Sequence, residues 1–212
     1  MKKHILFDND GVLVETEQWY FQANVDILEQ MGIELSLDRY KEIMIKGQSA
    51  FLLAEEKGFS SLHVENARDK RNALYQEYIK TKDIEINGVK EILASLSKKY
   101  TMGIVTSSRR EDFELIHKNR GLVEHMQFVL CQGEYSRSKP HGDPYLKGQS
   151  LLGGLKSETI VVEDSQRGLD SAYNANIECV IVHNAFTTNH DFSKASYKIA
   201  KLSELERLLE TL

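Results

Sequence analysis

The sequence is poor in cysteine, with two among its 212 residues. Each cysteine lies in an apolar stretch, Phe128–Cys131 in one case and Cys179–Val182 in the other. Small buried hydrophobic residues fit this setting better than a disulfide or a metal pair does. We therefore expect no disulfide framework and no redox chemistry.

Long hydrophobic runs and a surplus of positive charge are also missing. No apolar segment approaches the roughly 20 residues that span a bilayer, and the segment before the first acidic residues, Met1–Phe7, is too short for a signal peptide. Lysine and arginine total 27 against 32 acidic residues, a net charge of −5, and they form no basic stripe for nucleic acid. These absences predict a cytoplasmic protein that binds neither membranes nor nucleic acid.

The remaining composition is that of an ordinary globular protein, with 41% hydrophobic and 28% charged residues. Five short apolar runs without polar alternation predict strands that are covered on both faces. Helical spacing between most of them, as in Val89, Ile92 and Leu96, predicts βα repeats. The predicted fold class is therefore α/β, with a doubly wound parallel sheet. The predicted strands are His4–Phe7, Met102–Val105, Gln127–Cys131, Thr159–Val162 and Glu178–Val182.

One connection breaks the βα rhythm. Across residues 15–83 only helical patterns occur, and Ser36 and Ser61 are predicted helix N-caps. We expect this stretch to form an α-helical cap domain inserted into a core domain of residues 1–14 and 84–212. Because it leaves the carboxyl end of the first strand, where open α/β sheets bind ligands, we expect it to act as a lid.

Two aspartates end the first predicted strand, in the sequence DNDG that begins at Asp8. A carboxylate at a strand end can attack phosphorus to give an acyl phosphate, if a second acid handles the proton of the leaving group. Asp8 fits the role of nucleophile, and Asp10 fits the role of general acid and base. Two carboxylates beside a phosphate dianion need a hard cation with oxygen ligands, so we expect Mg²⁺.

Further acids follow the fourth predicted strand, which ends in Glu163 and Asp164. Since parallel strands share one carboxyl edge, we expect these acids beside the first pair. Asp164 is the expected direct metal ligand, with Glu163 binding directly or through water. Taken alone, DNDG also fits a turn or a fragment of a calcium loop, and the later acids also fit a helix N-terminus.

The second and third predicted strands are each followed by residues suited to binding an anion. Thr106, Ser107 and Ser108 supply hydroxyl and backbone N–H groups at a helix start. Lys139, in the loop after the third strand, offers a point charge to a phosphoryl group and to Asp8. All four strand ends are thus expected to converge on one phosphate.

These motifs together resemble the haloacid dehalogenase superfamily, specifically its phosphatase and β-phosphoglucomutase-like branch with a helical cap. The four motifs occur in the family's order and at its usual spacing, and the match spans nearly the whole chain. Gly142 is unusual within the third motif and leaves the shape of that loop open. The motifs are DNDG at residues 8–11, TSS at 106–108, KP at 139–140 with DP at 143–144, and EDS at 163–165.

The resemblance implies a Rossmann-like core and an aspartyl-phosphate intermediate on Asp8. It implies Mg²⁺ held by Asp8, the backbone carbonyl of Asp10, and Asp164, with Glu163 as a further candidate ligand. Arg109, directly after the second motif, is a candidate for facing the substrate. The phosphate-binding residues predicted in this way are Thr106, Ser107, Ser108, Arg109 and Lys139.

Several functions remain open at this point, and hydrolysis of a small phosphomonoester, such as a sugar phosphate or phosphoglycolate, is favoured. In the mutase that this branch resembles, the cap carries an early histidine and a KGxSR segment. Here those places hold Tyr20 and the KGQSA of residues 46–50, which favours a phosphatase over a sugar-phosphate mutase.

Two other functions fit less well. Carbon–halogen hydrolysis needs neither magnesium nor a second acid, so Asp10 and Asp164 count against it. A catalytically inactive binding module is expected to have lost a core residue, and none is lost. We expect a small phosphorylated metabolite as the binding partner, and a monomer or weak homodimer.

Overall fold

The structure is a computed structural model that describes residues 1–212. The chain forms two compact units, one made of Met1–Glu15 with Glu85–Leu212 and the other of Thr16–Ile84. The first unit contains a sheet and helices, and the second contains helices alone. Neither unit has a helix with the length and apolarity that crossing a membrane requires.

The elements are defined as follows. The strands are β1 (His4–Phe7), β2 (Thr101–Val105), β3 (Phe128–Leu130), β4 (Thr159–Glu163), β5 (Glu178–Val182) and β6 (Tyr197–Ile199). The helices are α1 (Glu17–Gln30), α2 (Leu37–Ile45), α3 (Leu52–Glu56), α4 (Ser61–Thr81), α5 (Val89–Leu96), α6 (Arg110–His117), α7 (Asp143–Leu152), α8 (Gln166–Asn174) and α9 (Leu205–Leu209).

The sheet has six strands in the order β3-β2-β1-β4-β5-β6, and every pairing is parallel. All five residues of β4 are buried, which agrees with its unbroken apolar run, because both faces of a parallel sheet are covered. The predicted α/β class with a doubly wound parallel sheet is confirmed.

The five predicted strands are present, although β3 is shorter than its predicted range. The sixth strand, β6, was missed. It pairs with β5 through Val180 opposite Tyr197 and Val182 opposite Ile199. Three residues are too few to show a hydrophobic period, so only pairing with β5 identifies this segment as a strand.

The core of the first unit lies between the sheet and helices α7 and α8. Leu6 and Val161 of the central strands pack in one cluster with Val105 of β2, Tyr145 of α7 and Leu169 of α8. Burying a large apolar side chain stabilises the fold by about 1.5–3 kcal/mol. This packing sets the positions of the strand ends that carry the predicted site.

The helical unit has its own core, in which α1, α2 and α4 contribute Leu28, Tyr40 and Val64. Ser36 is the N-cap of α2, as predicted, and its hydroxyl accepts a hydrogen bond from the Arg39 backbone N–H. The N-cap predicted at Ser61 is wrong by one residue. Ser60 has the extended backbone of a cap and accepts from the backbone N–H of His63. That this unit serves as a cap or lid stays a prediction.

The loop before α7 is held tightly against the end of α8. Its Lys139-Pro140 peptide is cis. The Asn174 side chain of α8 donates to the Pro140 carbonyl at 2.9 Å, and a Cβ added to Gly142 would lie 2.9 Å from the carbonyl carbon of Asn174 and from the Ala175 nitrogen. Backbone atoms cannot rotate away, so the close approach explains the unusual glycine and fixes the loop that carries Lys139.

Replacing Gly142 with alanine should therefore lower the free energy of unfolding by about 1–3 kcal/mol, the usual cost of overpacking. Urea denaturation measures this change. Ser150→Ala, at an exposed position of α7, is the matched control and should leave stability unchanged. A Gly142→Ala protein as stable as the wild type would contradict the close approach.

Candidate active site

The carboxyl ends of three adjacent strands bring the predicted site residues to one edge of the sheet. Asp8 directly follows β1, and its backbone N–H donates to the Val162 carbonyl of β4 at 2.9 Å. On the other side, the Thr106 backbone N–H donates to the Leu130 carbonyl at 2.9 Å. The sheet ladder therefore continues one residue past each strand and fixes the backbone that carries these side chains.

The ammonium group of Lys139 joins the first and fourth strand ends. It donates to Asp8 Oδ1 at 2.8 Å, to Glu163 Oε1 at 2.7 Å and to the Val105 carbonyl at 3.0 Å. The lysine is 4% exposed. Three hydrogen bonds use the full donor capacity of an ammonium group, so its position is determined from three sides.

Glu163 is fully buried and is surrounded by donors. Its Oε1 accepts from Lys139 and from the Tyr145 hydroxyl at 2.6 Å, while Oε2 accepts from the backbone N–H of Asp164 and from the Ser165 hydroxyl. Both carboxylate oxygens are thus engaged within the protein. Oε1 of Glu163 therefore helps to hold Lys139 beside Asp8, and the role of Glu163 as a metal ligand stays a prediction.

Asp8, Glu163 and Asp164 offer ligand atoms that lie within 4.8 Å of one another. Their donor set consists of carboxylate oxygens, which are the ligands that Mg²⁺ prefers. Lys139 supplies the one cation hydrogen-bonded to Asp8 and Glu163. The surplus of negative charge fits a bound divalent cation.

Asp10 lies against the hydroxyl groups of the second motif. Its Oδ2 accepts from Ser108 Oγ at 2.6 Å and from Thr106 Oγ1 at 3.4 Å. Asp10 is only partly buried, whereas Asp8 is buried. Two hydroxyl groups therefore orient the Asp10 carboxylate, and its role as general acid and base stays a prediction.

The predicted phosphate-binding residues have different surroundings. The side chains of Thr106 and Ser108 contact Asp10, and Ser107 is exposed. The Arg109 guanidinium makes two 2.8 Å hydrogen bonds to Asp112 and a 2.8 Å ion pair with Glu111. Arg109, the N-cap residue of α6, is thus paired with two carboxylates of that helix. The phosphate-binding roles of these four residues stay predictions.

Burial has the largest effect on the pKa of the Asp8 carboxyl group. It raises the pKa of Asp8 from 3.8 to about 7; Glu163 and Asp10 add to this rise, and Lys139 opposes it. Burial also disfavours the charged form of Lys139, but Asp8 and Glu163 outweigh this effect and raise its pKa above the usual value. Lys139 therefore keeps its proton, and Asp8 needs further positive charge to be ionised well below neutral pH.

A family model described as haloacid dehalogenase-like hydrolase matches residues 5–182 of the chain. The chain belongs to this family. The match includes all four motifs, so the predicted superfamily is confirmed.

Known proteins of the family extend this result. The chain is 27% identical over 188 residues to the phosphorylated carbohydrates phosphatase of Thermotoga maritima, covering 84% of this chain and 85% of that protein. It is 29% identical over 187 residues, 84% of its length, to the chloroplastic protein SUPPRESSOR OF QUENCHING 1 of Arabidopsis thaliana. The chain spans 17% of the length of that plant protein.

A solved structure of β-phosphoglucomutase from Clostridium difficile matches with a TM-score of 0.79 and 22% identity, covering 99% of this chain and 96% of that one. At this identity the likeness shows the fold alone. The family model and the phosphatase relative, rather than this structure, confirm the predicted phosphatase branch of the superfamily.

The present chain also contains a buried polar pair that its sequence did not predict. His117, the last residue of α6, has its Nε2 2.7 Å from Oδ1 of Asn9, which lies between the two site aspartates. Both side chains are buried, and burial lowers the pKa of His117 to about 4, so the ring is neutral. Asn9 Nδ2 and His117 Nδ1 have no hydrogen-bond partner. No sequence pattern links positions this far apart.

Replacing His117 with leucine should lower the free energy of unfolding by about 1–3 kcal/mol, because the Asn9 amide loses its partner while it stays buried. Thermal or urea denaturation measures the loss. The double variant Asn9→Leu/His117→Leu removes both polar groups and should recover part of it. A His117→Leu protein as stable as the wild type would show that the contact does not stabilise the fold.

The raised pKa of Asp8 predicts a pH-dependent stability in protein freed of divalent cations. Between pH 3.8 and about 7 the folded chain holds a proton on Asp8 that the unfolded chain has released. Asp8 therefore makes the folded state less stable as the pH rises through this window. The Asp8→Asn variant has no carboxyl proton to release. As the pH rises, its free energy of unfolding should therefore fall less than that of the wild type.

Urea unfolding of chelator-treated protein between about pH 4 and pH 8 tests this linkage. His117, with its lowered pKa, has the opposite effect on stability, but it is present in both proteins and cancels in their difference. Asp69→Asn, at an exposed position, is the matched control. Parallel pH profiles for wild type and Asp8→Asn would refute the raised pKa.

Proposed function

We propose that the chain is a magnesium-dependent phosphatase that hydrolyses a small phosphomonoester through an aspartyl-phosphate on Asp8. The observation that carries this proposal is the buried Lys139 ammonium, which bonds Asp8 and Glu163 within the cluster that includes Asp164. A nucleophilic carboxylate needs fixed orientation and local positive charge, and both are present here.

Asp8, Asp164 and the backbone carbonyl of Asp10 would hold Mg²⁺. When bound, the ion supplies positive charge that keeps Asp8 ionised and offsets the charge of the phosphoryl oxygens. Lys139 supplies a second positive charge to the Asp8 carboxylate.

In the first step, an Asp8 oxygen forms a bond to phosphorus while the bond from phosphorus to the substrate oxygen breaks. Asp10 donates the proton that the departing alkoxide needs. In the second step, Asp10 takes a proton from water as the water oxygen attacks phosphorus, and Asp8 leaves as a carboxylate. The hydroxyl groups of Ser108 and Thr106 hold Asp10 in place for both transfers.

The phosphatase of Thermotoga maritima named above supports a phosphorylated carbohydrate or a similar small metabolite as the substrate. Tyr20 and the KGQSA segment, in place of the histidine and arginine expected of a mutase, support release of the phosphoryl group to water.

Phosphate release across a panel of sugar phosphates, phosphoglycolate, nucleotides and p-nitrophenyl phosphate tests the proposal. We expect release that requires Mg²⁺ and stops on chelation. Release that persists after chelation would remove the metal from the mechanism. If no member of the panel releases phosphate but a hexose 1-phosphate is isomerised in the presence of a bisphosphate, the mutase replaces the phosphatase.

Asp8→Asn should remove turnover, because an amide is neutral and a poor nucleophile. Asp10→Asn should lower kcat by about 10²–10⁴-fold, the usual contribution of a general acid or base. Asp69→Asn is the matched control and should keep wild-type activity. Wild-type turnover by Asp8→Asn would exclude the covalent mechanism.

A further inference from the structure

A buried asparagine that follows β5 contacts the proposed metal site and was not recognised from the sequence. Asn184 is 6% exposed. Its Nδ2 donates to Asp164 Oδ2 at 2.9 Å and to Glu15 Oε2 at 3.4 Å. Its Oδ1 accepts from the Phe186 backbone N–H at 2.8 Å. The amide therefore uses both donor hydrogens and one acceptor position.

The backbone determines which end of this amide faces the carboxylates. A backbone N–H can only donate, so the atom opposite the Phe186 nitrogen must be the amide oxygen. Asn184 is also the N-cap of the short turn Ala185–Thr187, and its carbonyl accepts from the Thr187 backbone N–H. The NH₂ group is thus directed at Asp164 by a cap that does not depend on the site.

Asp164 and Asn184 also pack directly against the loop that carries the two catalytic aspartates. Gly11 has a φ of +78°, and a Cβ added there would lie 2.0 Å from Asp164 Oδ2 and 2.5 Å from Asn184 Nδ2. No larger residue fits at position 11 without moving this pair. The contact places Asp164 beside the chain segment whose Asp10 carbonyl is a proposed metal ligand.

We propose that Asn184 is a positioning residue that orients the Asp164 carboxylate for binding Mg²⁺. By bonding Oδ2, its amide sets the rotation of the carboxylate, and by bridging Asp164 to Glu15 it separates two negative charges. Groups that orient a metal ligand through such contacts commonly account for 10–100-fold in metal affinity. This inference rests on the proposed function, because that proposal makes Asp164 a metal ligand.

Asn184→Ser is the most informative variant. Serine is a good N-cap and can still accept from the Phe186 N–H, but it lacks the amide donor that reaches Asp164. Calorimetric titration of the metal-free protein with Mg²⁺ should give a Kd about 10–100-fold higher than that of the wild type. Turnover by this variant should need correspondingly more Mg²⁺ and recover near wild-type kcat at saturation.

Asn24→Ser is the matched control. Asn24 is a fully buried asparagine of the helical unit that donates to the Tyr20 carbonyl and accepts from Arg71. The control should lower the melting temperature without changing the Kd for Mg²⁺. If Asn184→Ser behaves in the same way, Asn184 has a structural role only and the inference is wrong.

The remaining outcomes separate this inference from the proposed function. Saturable Mg²⁺ binding that Asn184→Ser weakens, in a protein whose Asp8→Asn variant retains turnover, would keep the inference and reject the covalent mechanism. A wild-type protein that shows no saturable Mg²⁺ binding would reject both the inference and the metal-dependent function.

Discussion

The site depends on one interaction, the hydrogen bonding of a single buried ammonium group to two carboxylates. Lys139 bonds Asp8 and Glu163 at 2.8 and 2.7 Å. Removing one member would leave a buried charge without its partner, a loss that costs several kcal/mol. The surrounding structure is arranged to hold this group. The Tyr145 hydroxyl and the Ser165 hydroxyl orient Glu163, the cis peptide and Gly142 shape the loop that carries Lys139, and the ladder of the sheet fixes Asp8.

The same arrangement explains why the cluster suits a reaction that passes through a charged intermediate. One ammonium group faces two buried carboxylates, and burial together with the negative charge of Glu163 raises the pKa of Asp8. A bound divalent cation would add the positive charge that favours the ionised form of Asp8. Each group that we assign to the mechanism is therefore held by contacts that do not depend on the substrate, and such preorganisation is a main source of catalytic rate.

Polar contacts just outside the reacting groups form a second layer. Asn184 bonds Asp164, Tyr145 bonds Glu163, Ser108 bonds Asp10, and His117 bonds Asn9. Each of these residues lies on a different element, so the layer joins α6, α7 and the ends of β2 and β5 to the central acids. Residues from several elements of the core unit thus orient the side chains of the site.

The sequence by itself determined the fold class, the family and the acids of the site. Unbroken apolar runs predict strands buried on both faces, and acids that end such runs must meet at one edge of a parallel sheet. Only the tertiary structure revealed strand β6, the ion pairs of Arg109 with α6, and the contacts of four further residues. These residues are Asn9, His117, Tyr145 and Asn184. Their partners lie far away in the chain or, for Arg109, depend on side-chain rotamers. A pattern in sequence encodes local period and burial, but a hydrogen bond between distant residues exists only once packing has brought them within reach.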